Sequence, residues 1–241
     1  MKKRVFIVLT ILSTLPFYAQ AADNQAYTFI GKEDNISLYQ RWVISENNQK
    51  VRELKAFFYI QSDFQSIEQV LKNQSLGKQW NTHASIYKID KTGMHNEWLN
   101  YIRYDLPWPL NDQDCYLQYT SKVMDNHTIE IRFQSIKNSQ HPILKGVGRI
   151  SGVKGKWVLK KVRNNKLKVV YTITSDPSFT IPRWLSDPIV HKNLIATLSN
   201  FRSEVEGFVS RGLIRANGSG KKPALQKAAK HPADCNLIGY L

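Results

Sequence analysis

Six histidines, His83, His95, His127, His141, His191 and His231, are spread along the chain. No two stand at the i, i+4 spacing that puts two imidazoles on one helix face to hold zinc. No Cys-x-x-Cys occurs either, so the sequence offers no metal centre and calls for no cofactor. In Gly148-Arg149-Ile150-Ser151-Gly152 the serine comes one place too late for a nucleophile elbow. Gly146, Gly148 and Ser151 miss the last glycine of a dinucleotide fingerprint, and Gly218-Ser219-Gly220-Lys221-Lys222 lacks the earlier glycine and the Ser/Thr of a P-loop. Two cysteines remain, Cys115 and Cys235, 120 residues apart. In an oxidising compartment they could pair, a bond worth on the order of 4–5 kcal/mol in the chain-entropy model. The other reading makes Cys115, which shares the parity of Leu117 and Tyr119, a small core residue, with Cys235 in a basic tail.

The residues that do recur at fixed spacing are apolar, and they define strands. Ile36, Leu38 and Trp42 alternate with polar neighbours, and Arg52 to Phe58 repeats the pattern after Asn47-Asn48, which predicts a hairpin. Asp63 stands at an N-cap position before Phe64, Ile67, Val70 and Leu71 at helical spacing, a run that Gly77 is expected to end. Ile129 to Gln134 alternates strictly, and the same odd parity holds for Leu117, Tyr119 and Val123, for Trp157 and Leu159, and for Val169, Tyr171 and Ile173. One inner face can therefore collect these side chains, with a solvated outer face behind it. After Pro182, Ile189, Leu194, Leu198, Phe201, Val205 and Phe208 fall on one helical stripe, with Gly207 and Gly212 near its end. A sheet with an apolar concave face needs a covering element, and this helix alone is long enough. The expected class is α+β, a helix on a curved antiparallel sheet.

The ends of the chain differ from its body. Lys2, Lys3 and Arg4 precede an apolar run from Val5 to Leu12, and Ala19-Gln20-Ala21 follows, the pattern of a secretory signal peptide over residues 1–21. The run is too short to span a bilayer, and no cysteine stands at the cleavage point to accept a lipid anchor. An exported protein, periplasmic or secreted, is the expectation. Of the 241 residues, 34 are Lys or Arg and 19 Asp or Glu, a formal charge of +15, and cleavage would leave +12. The stretch 211–241 carries +5 of this and loses periodicity, so it reads as a flexible basic tail behind a domain over 22–210. Positive charge of this size suits an anionic membrane, and an exported protein has little occasion to meet nucleic acid. A monomer is expected.

Leu106-Pro107-Trp108-Pro109-Leu110-Asn111-Asp112-Gln113-Asp114, followed by a strand, resembles the P-W-P-L-x-D-R-D signature of START lipid-transfer domains, with Gln113 in place of the usual Arg. Glu53-Leu54-Lys55-Ala56, Gly155-Lys156-Trp157 and Asp176-Pro177 leading to Ile181-Pro182-Arg183-Trp184-Leu185 keep the same order as in that family. The resemblance covers roughly Tyr27 to Val209. It implies a helix-grip fold, a curved antiparallel sheet wrapped around a long C-terminal helix and enclosing a hydrophobic tunnel for one lipid or sterol. It also implies a lid over the tunnel mouth, which falls on the loop from Ser135 to Gly148 with Pro142, Ile143 and Leu144 at its centre and Lys137, Lys145 and Arg149 around them. An arrangement of that kind suits transient contact with an anionic membrane.

The ligand-binding residues expected on this reading are Leu117, Tyr119, Ile131, Phe133, Tyr171 and Ile173 from the sheet and Leu194, Leu198 and Phe201 from the helix, each of which could equally be plain core. Arg103 is the one headgroup candidate, although Trp98, Ile102 and Tyr104 form the apolar face of its strand and parity puts Arg103 with Asp105 outside. The expected function is binding and transfer of a phospholipid, fatty acid or sterol without catalysis. The first alternative is a cyclase- or hydrolase-like enzyme of the same fold using Tyr119 or Tyr171 as acid or base. The second is a polyanion-binding protein driven by its tail.

Overall fold

The structure is a computed structural model that describes residues 26–106, 111–137, 140–163, 165–175 and 183–216, with side chains in the last segment from 187 to 212. The expected signal peptide, Pro107–Leu110, Asp176–Pro182 and Cys235 lie outside the described residues. So does the basic tail beyond Ala216.

The chain builds one ten-stranded sheet in a particular order. Strands β1 (Thr28–Glu33), β2 (Ile36–Ile44) and β3 (Lys50–Gln61) form a meander from one edge inward. The chain then leaves the sheet to make α1 (Phe64–Leu71) and α2 (Gln74–Trp80). It re-enters at the far edge with β4 (Ala84–Lys91) and works back through β5 (Glu97–Tyr104), β6 (Gln113–Asp125), β7 (Thr128–Ser135), β9 (Lys154–Arg163) and β10 (Lys166–Thr174) until β10 pairs with β3. Those ladders are all antiparallel. The exception is β8 (Gly148–Arg149), which lies parallel to β6. The final helix, α3 (Arg183–Ala216), covers the inner face together with α1 and α2.

The registers bear out the parity argument. Leu38, Ala56, Tyr171, Trp157 and Ile131 are directly opposite one another across five strands, and all are buried. A second row runs Trp98, Tyr119, Phe133, Gly155, Ile173 and Leu54. The hairpin of β2 and β3 and the Asp63 cap, whose Oδ1 accepts from the Ser66 amide at 2.8 Å, are where the sequence places them. Ile195, Leu198, Phe201 and Val205 turn the buried side of α3 to the core, with Leu194 and Phe208 packed beside them. The helix is held by polar ties as well. Arg202 Nη1 donates to Asp34 O at 2.7 Å, the Gln61 amide donates to Glu206 Oε1 at 2.9 Å, and Arg52 pairs with Asp187 at 2.5 Å.

Four sequence expectations need correction. Gly77 ends no helix: α1 stops at Leu71, Asn73 caps a second helix, and Gly77 sits inside it, where a Cβ would stand 2.2 Å from the Tyr87 ring. Glycine is therefore required by close approach of that ring and not by a turn. Val123 keeps inner parity but is exposed, because β6 and β7 run on past the part of the sheet that α3 covers. Ile189 is exposed too, since it lies one turn before the helix meets the core. Finally, α3 continues through Gly207 and Gly212 to Ala216, so the first residues assigned to the tail are helical.

Candidate functional site

The inner face is lined by aromatic rings in series. Trp98 stacks on Tyr119 at 5.0 Å between centroids, Tyr119 meets Phe133 at 5.3 Å and Phe133 meets Tyr171 at 5.8 Å. Tyr171 then meets Trp157 at 4.4 Å, Trp157 meets Phe201 of α3 at 4.8 Å, and Phe201 meets Trp80 of α2 at 5.1 Å. The line thus crosses from β5 over the sheet and up into both helices. Of the expected ligand-binding residues, Leu117, Tyr119, Ile131, Phe133, Tyr171, Leu198 and Phe201 are buried in this core, and Ile173 and Leu194 pack against it.

Four polar atoms in this apolar surround are buried without a partner among the described residues. They are both side-chain amide atoms of Asn100 and the indole nitrogens of Trp98 and Trp157; the indole nitrogen of Trp80 is a fifth of the same kind on the helical side. Asn100 is opposite Leu117 and two residues from Ile102, on the inner face, and is completely buried. Its neighbour Tyr87 gives its hydroxyl proton to Leu71 O at 2.8 Å. Burial drives the Tyr87 pKa upward, and a side-chain interaction with the Asn100 amide opposes this only in part. An unmet buried polar atom costs about 1–3 kcal/mol, so such a cluster in one core points to a partner that arrives from outside. Alternation in β5 puts Asn100 on the face of Trp98 and Ile102, but an uncharged amide among apolar neighbours carries no headgroup signal of its own in the sequence.

Desolvation also governs the hydroxyls and the thiol here. Burial pushes Tyr104 and Tyr119 well above the usual tyrosine range and raises Tyr171, and it pushes the Cys115 thiol up to about 12. All four are neutral at ordinary pH. Among the described residues Cys115 has no disulfide partner, and its thiol is buried on the inner face. Gln113, standing where the signature has Arg, shares that face, being opposite Tyr104. The only buried charged side chains among the described residues are Asp114 and Glu130, both of outer parity.

Arg103 and the expected lid lie on that outer face. Arg103 is opposite Asp114 and pairs with Asp112 at 2.7 Å and Asp105 at 3.5 Å, a partly exposed cluster away from the core. Asp114 accepts from both Arg149 nitrogens and from Tyr101 Oη at 3.0 Å. The two aspartates of the signature are thus anchors for the ends of neighbouring segments. Beyond Ser135 the chain leaves β7; His141 lies against the outer face, and β8 takes the slot beside β6. His141 stacks on Tyr101 at 4.2 Å and bonds Asp90 Oδ2 at 3.0 Å, and Arg149 Nη2 donates to the His141 carbonyl. These contacts tie the loop to the back of the sheet, so its anchors do not build a cover over the inner core. Pro142, Ile143 and Leu144 are exposed.

An open cleft of about 280 Å3 lies between the start of α2 and the end of α3, lined by Asn73, Ser75, Leu76, Phe208, Arg211 and Gly212. Leu76 and Phe208 also pack against the core, so this cleft leads toward the aromatic line.

The START domain family model matches residues 28–209. An uncharacterized protein of Pseudomonas aeruginosa is 24% identical over 204 residues, which are 84% of this chain and 98% of that one. Among solved structures, a fragment of the STAR-related lipid transfer protein from Xanthomonas axonopodis gives a TM-score of 0.65 at 23% identity, covering 75% of this chain and 99% of that one. Human StAR-related lipid transfer protein 5 gives 0.65 at 13% identity, covering 77% and 89%. At these identities the structural likeness carries the fold. The antiparallel sheet closed by α3, the anchored aspartates of the signature and a family match over three quarters of the chain agree: this protein belongs to the START domain family.

Proposed function

We propose that this protein is an exported carrier that binds one hydrophobic ligand between the inner face of the sheet and α3, reached through the cleft between α2 and α3. The observation that carries the reading is the set of unpartnered buried atoms of Asn100, Trp98 and Trp157 within an otherwise apolar aromatic core. Aromatic and aliphatic walls suit an acyl chain or a sterol body, and a few fixed hydrogen-bonding groups orient it. Because Arg52, the charged side chain that β3 turns toward α3, is already paired with Asp187, the reading favours a ligand whose inward end is uncharged, such as a hydroxyl, ester or ketone.

A 14-methylene chain is unfavourable in water by roughly 11 kcal/mol at about 0.8 per CH2. An apolar interior of similar character makes transfer from a bilayer nearly neutral, which is what loading and unloading require. Acid–base catalysis by Tyr119 or Tyr171 is less well supported, since burial moves both hydroxyls away from neutrality.

Native mass spectrometry of the mature protein purified without detergent, followed by organic extraction, tests the reading. A stoichiometric neutral or zwitterionic lipid is the expected result. Empty protein that also takes up nothing from mixed liposomes would overturn it.

A further inference from the structure

Four exposed large apolar side chains of the sheet lie toward one end of it, apart from Phe29 and Ile44 on β1 and β2. Val123 and Met124, at the tip of the β6–β7 hairpin, are 68% and 51% exposed, and Val162, at the tip of the β9–β10 hairpin, is 49% exposed. The two tips are neighbours. Thr128 is opposite Lys160, Val123 is opposite Ile129, which is opposite Leu159, and the Lys161 amide donates to His127 O at 2.8 Å. Tyr59 stands on the adjacent strand opposite Lys168, 42% exposed, with Lys166 Nζ 5.0 Å from its ring centre.

The charge around these side chains is predominantly positive. Residues 160–168 contain five Lys or Arg and no Asp or Glu. Lys168 is directly opposite Lys160 and Lys166 directly opposite Arg163, like-charge pairs that weaken a sheet unless something else compensates them. Lys122 adds to them from β6. The one acid at the tips, Asp125, spends its Oδ1 on the His127 amide at 2.7 Å, a bond that with neighbouring cations holds its carboxyl below the usual range.

We propose that these two hairpin tips are a docking surface for an anionic lipid bilayer. The aliphatic side chains enter the interface and the lysines and arginine meet the headgroups. A nucleic acid would leave Val123, Met124 and Val162 with nothing to bury against, and a protein interface is depleted in lysine. The proposal rests on the carrier reading only in that a lipid carrier must meet a membrane, and it locates that meeting away from the loop 136–147.

Co-sedimentation with vesicles of phosphatidylcholine alone, and of equal parts phosphatidylcholine and phosphatidylglycerol, tests it on the full mature chain. The wild type is expected to sediment with the anionic vesicles only, and less so as salt rises. Lys161→Glu with Arg163→Glu should lower partition by about 30-fold, at about fivefold per cation. Val162→Ser with Met124→Ser should lower it at unchanged net charge of the rim. Lys32→Glu with Lys78→Glu, the same charge change on β1 and α2, should leave most of the binding. Equal loss in that control, no binding by the wild type, or binding to soluble heparin without binding to vesicles would each overturn the proposal. Native mass spectra of the same preparations separate the two readings: lipid retained by tip variants that still sediment sinks the docking surface alone, and an empty protein that docks sinks the carrier alone.

Discussion

Gly155 is directly opposite Phe133 in the β7–β9 ladder, and a Cβ on it would stand 2.3 Å from the ring's Cζ and 2.2 Å from the carbonyl oxygen of Thr172. The missing side chain lets the ring lean across β9 toward Tyr171, which joins the two halves of the aromatic line. Gly155→Ala is expected to destabilise the fold by about 1–3 kcal/mol, because one obstacle is backbone and cannot rotate away. Chemical unfolding measures this; a neutral result would mean that the ring can move at no cost.

Asn100→Leu removes the unpartnered amide at similar volume. The unliganded protein should gain about 1–3 kcal/mol, while retention of the ligand's polar end weakens by about tenfold. Unfolding of delipidated protein and lipid content by mass spectrometry read the two effects separately. Loss of stability with unchanged lipid content would make Asn100 purely structural.

Stability at high pH should carry the mark of Cys115. Burial raises its thiol from an ordinary value of 9.0 to about 12 in the folded protein, so the unfolded chain releases its proton first. Stability from this group is complete below pH 9 and is lost as pH rises from 9 toward 12. Urea titrations across that range should show Cys115→Ala holding its stability to higher pH than the wild type, until the buried tyrosines begin to contribute in the same direction.

Arg149→Ala leaves the Asp114 carboxylate, 1% exposed, with only the Tyr101 hydroxyl. An abandoned buried charge of this kind costs about 3–5 kcal/mol. Hydrogen exchange should rise across residues 140–150, since Arg149 also holds the His141 carbonyl. Unchanged exchange there would show that the Tyr101–His141 stack and β8 suffice.

Gly212→Trp places an indole in the cleft between α2 and α3, against Leu76 and Phe208, with no clash at its Cβ, because nothing lies within 4 Å of that atom. Ligand exchange between vesicles should slow several-fold, with thermal stability unchanged or raised by up to about 1 kcal/mol from removing a helical glycine. Exchange at the wild-type rate would move the entrance elsewhere.

Alternation and helical spacing were enough to read most strands, their common inner face, the Asp63 cap and the buried stripe of α3, because each depends on neighbours within a few residues. The PWPL signature pointed to the family in the same local way. Sequence alone could not show that Gly77 accommodates a ring from β4, that Val123 outruns the core, or that His141 and Arg149 anchor behind the sheet. Those follow from which segments meet, and the meeting of β3 with β10 joins residues more than a hundred positions apart. Parity placed Asn100 on the inner face, but only the packed structure showed its amide without a partner. Whether a buried polar atom is satisfied is decided by what surrounds it in three dimensions, and spacing along the chain does not record that.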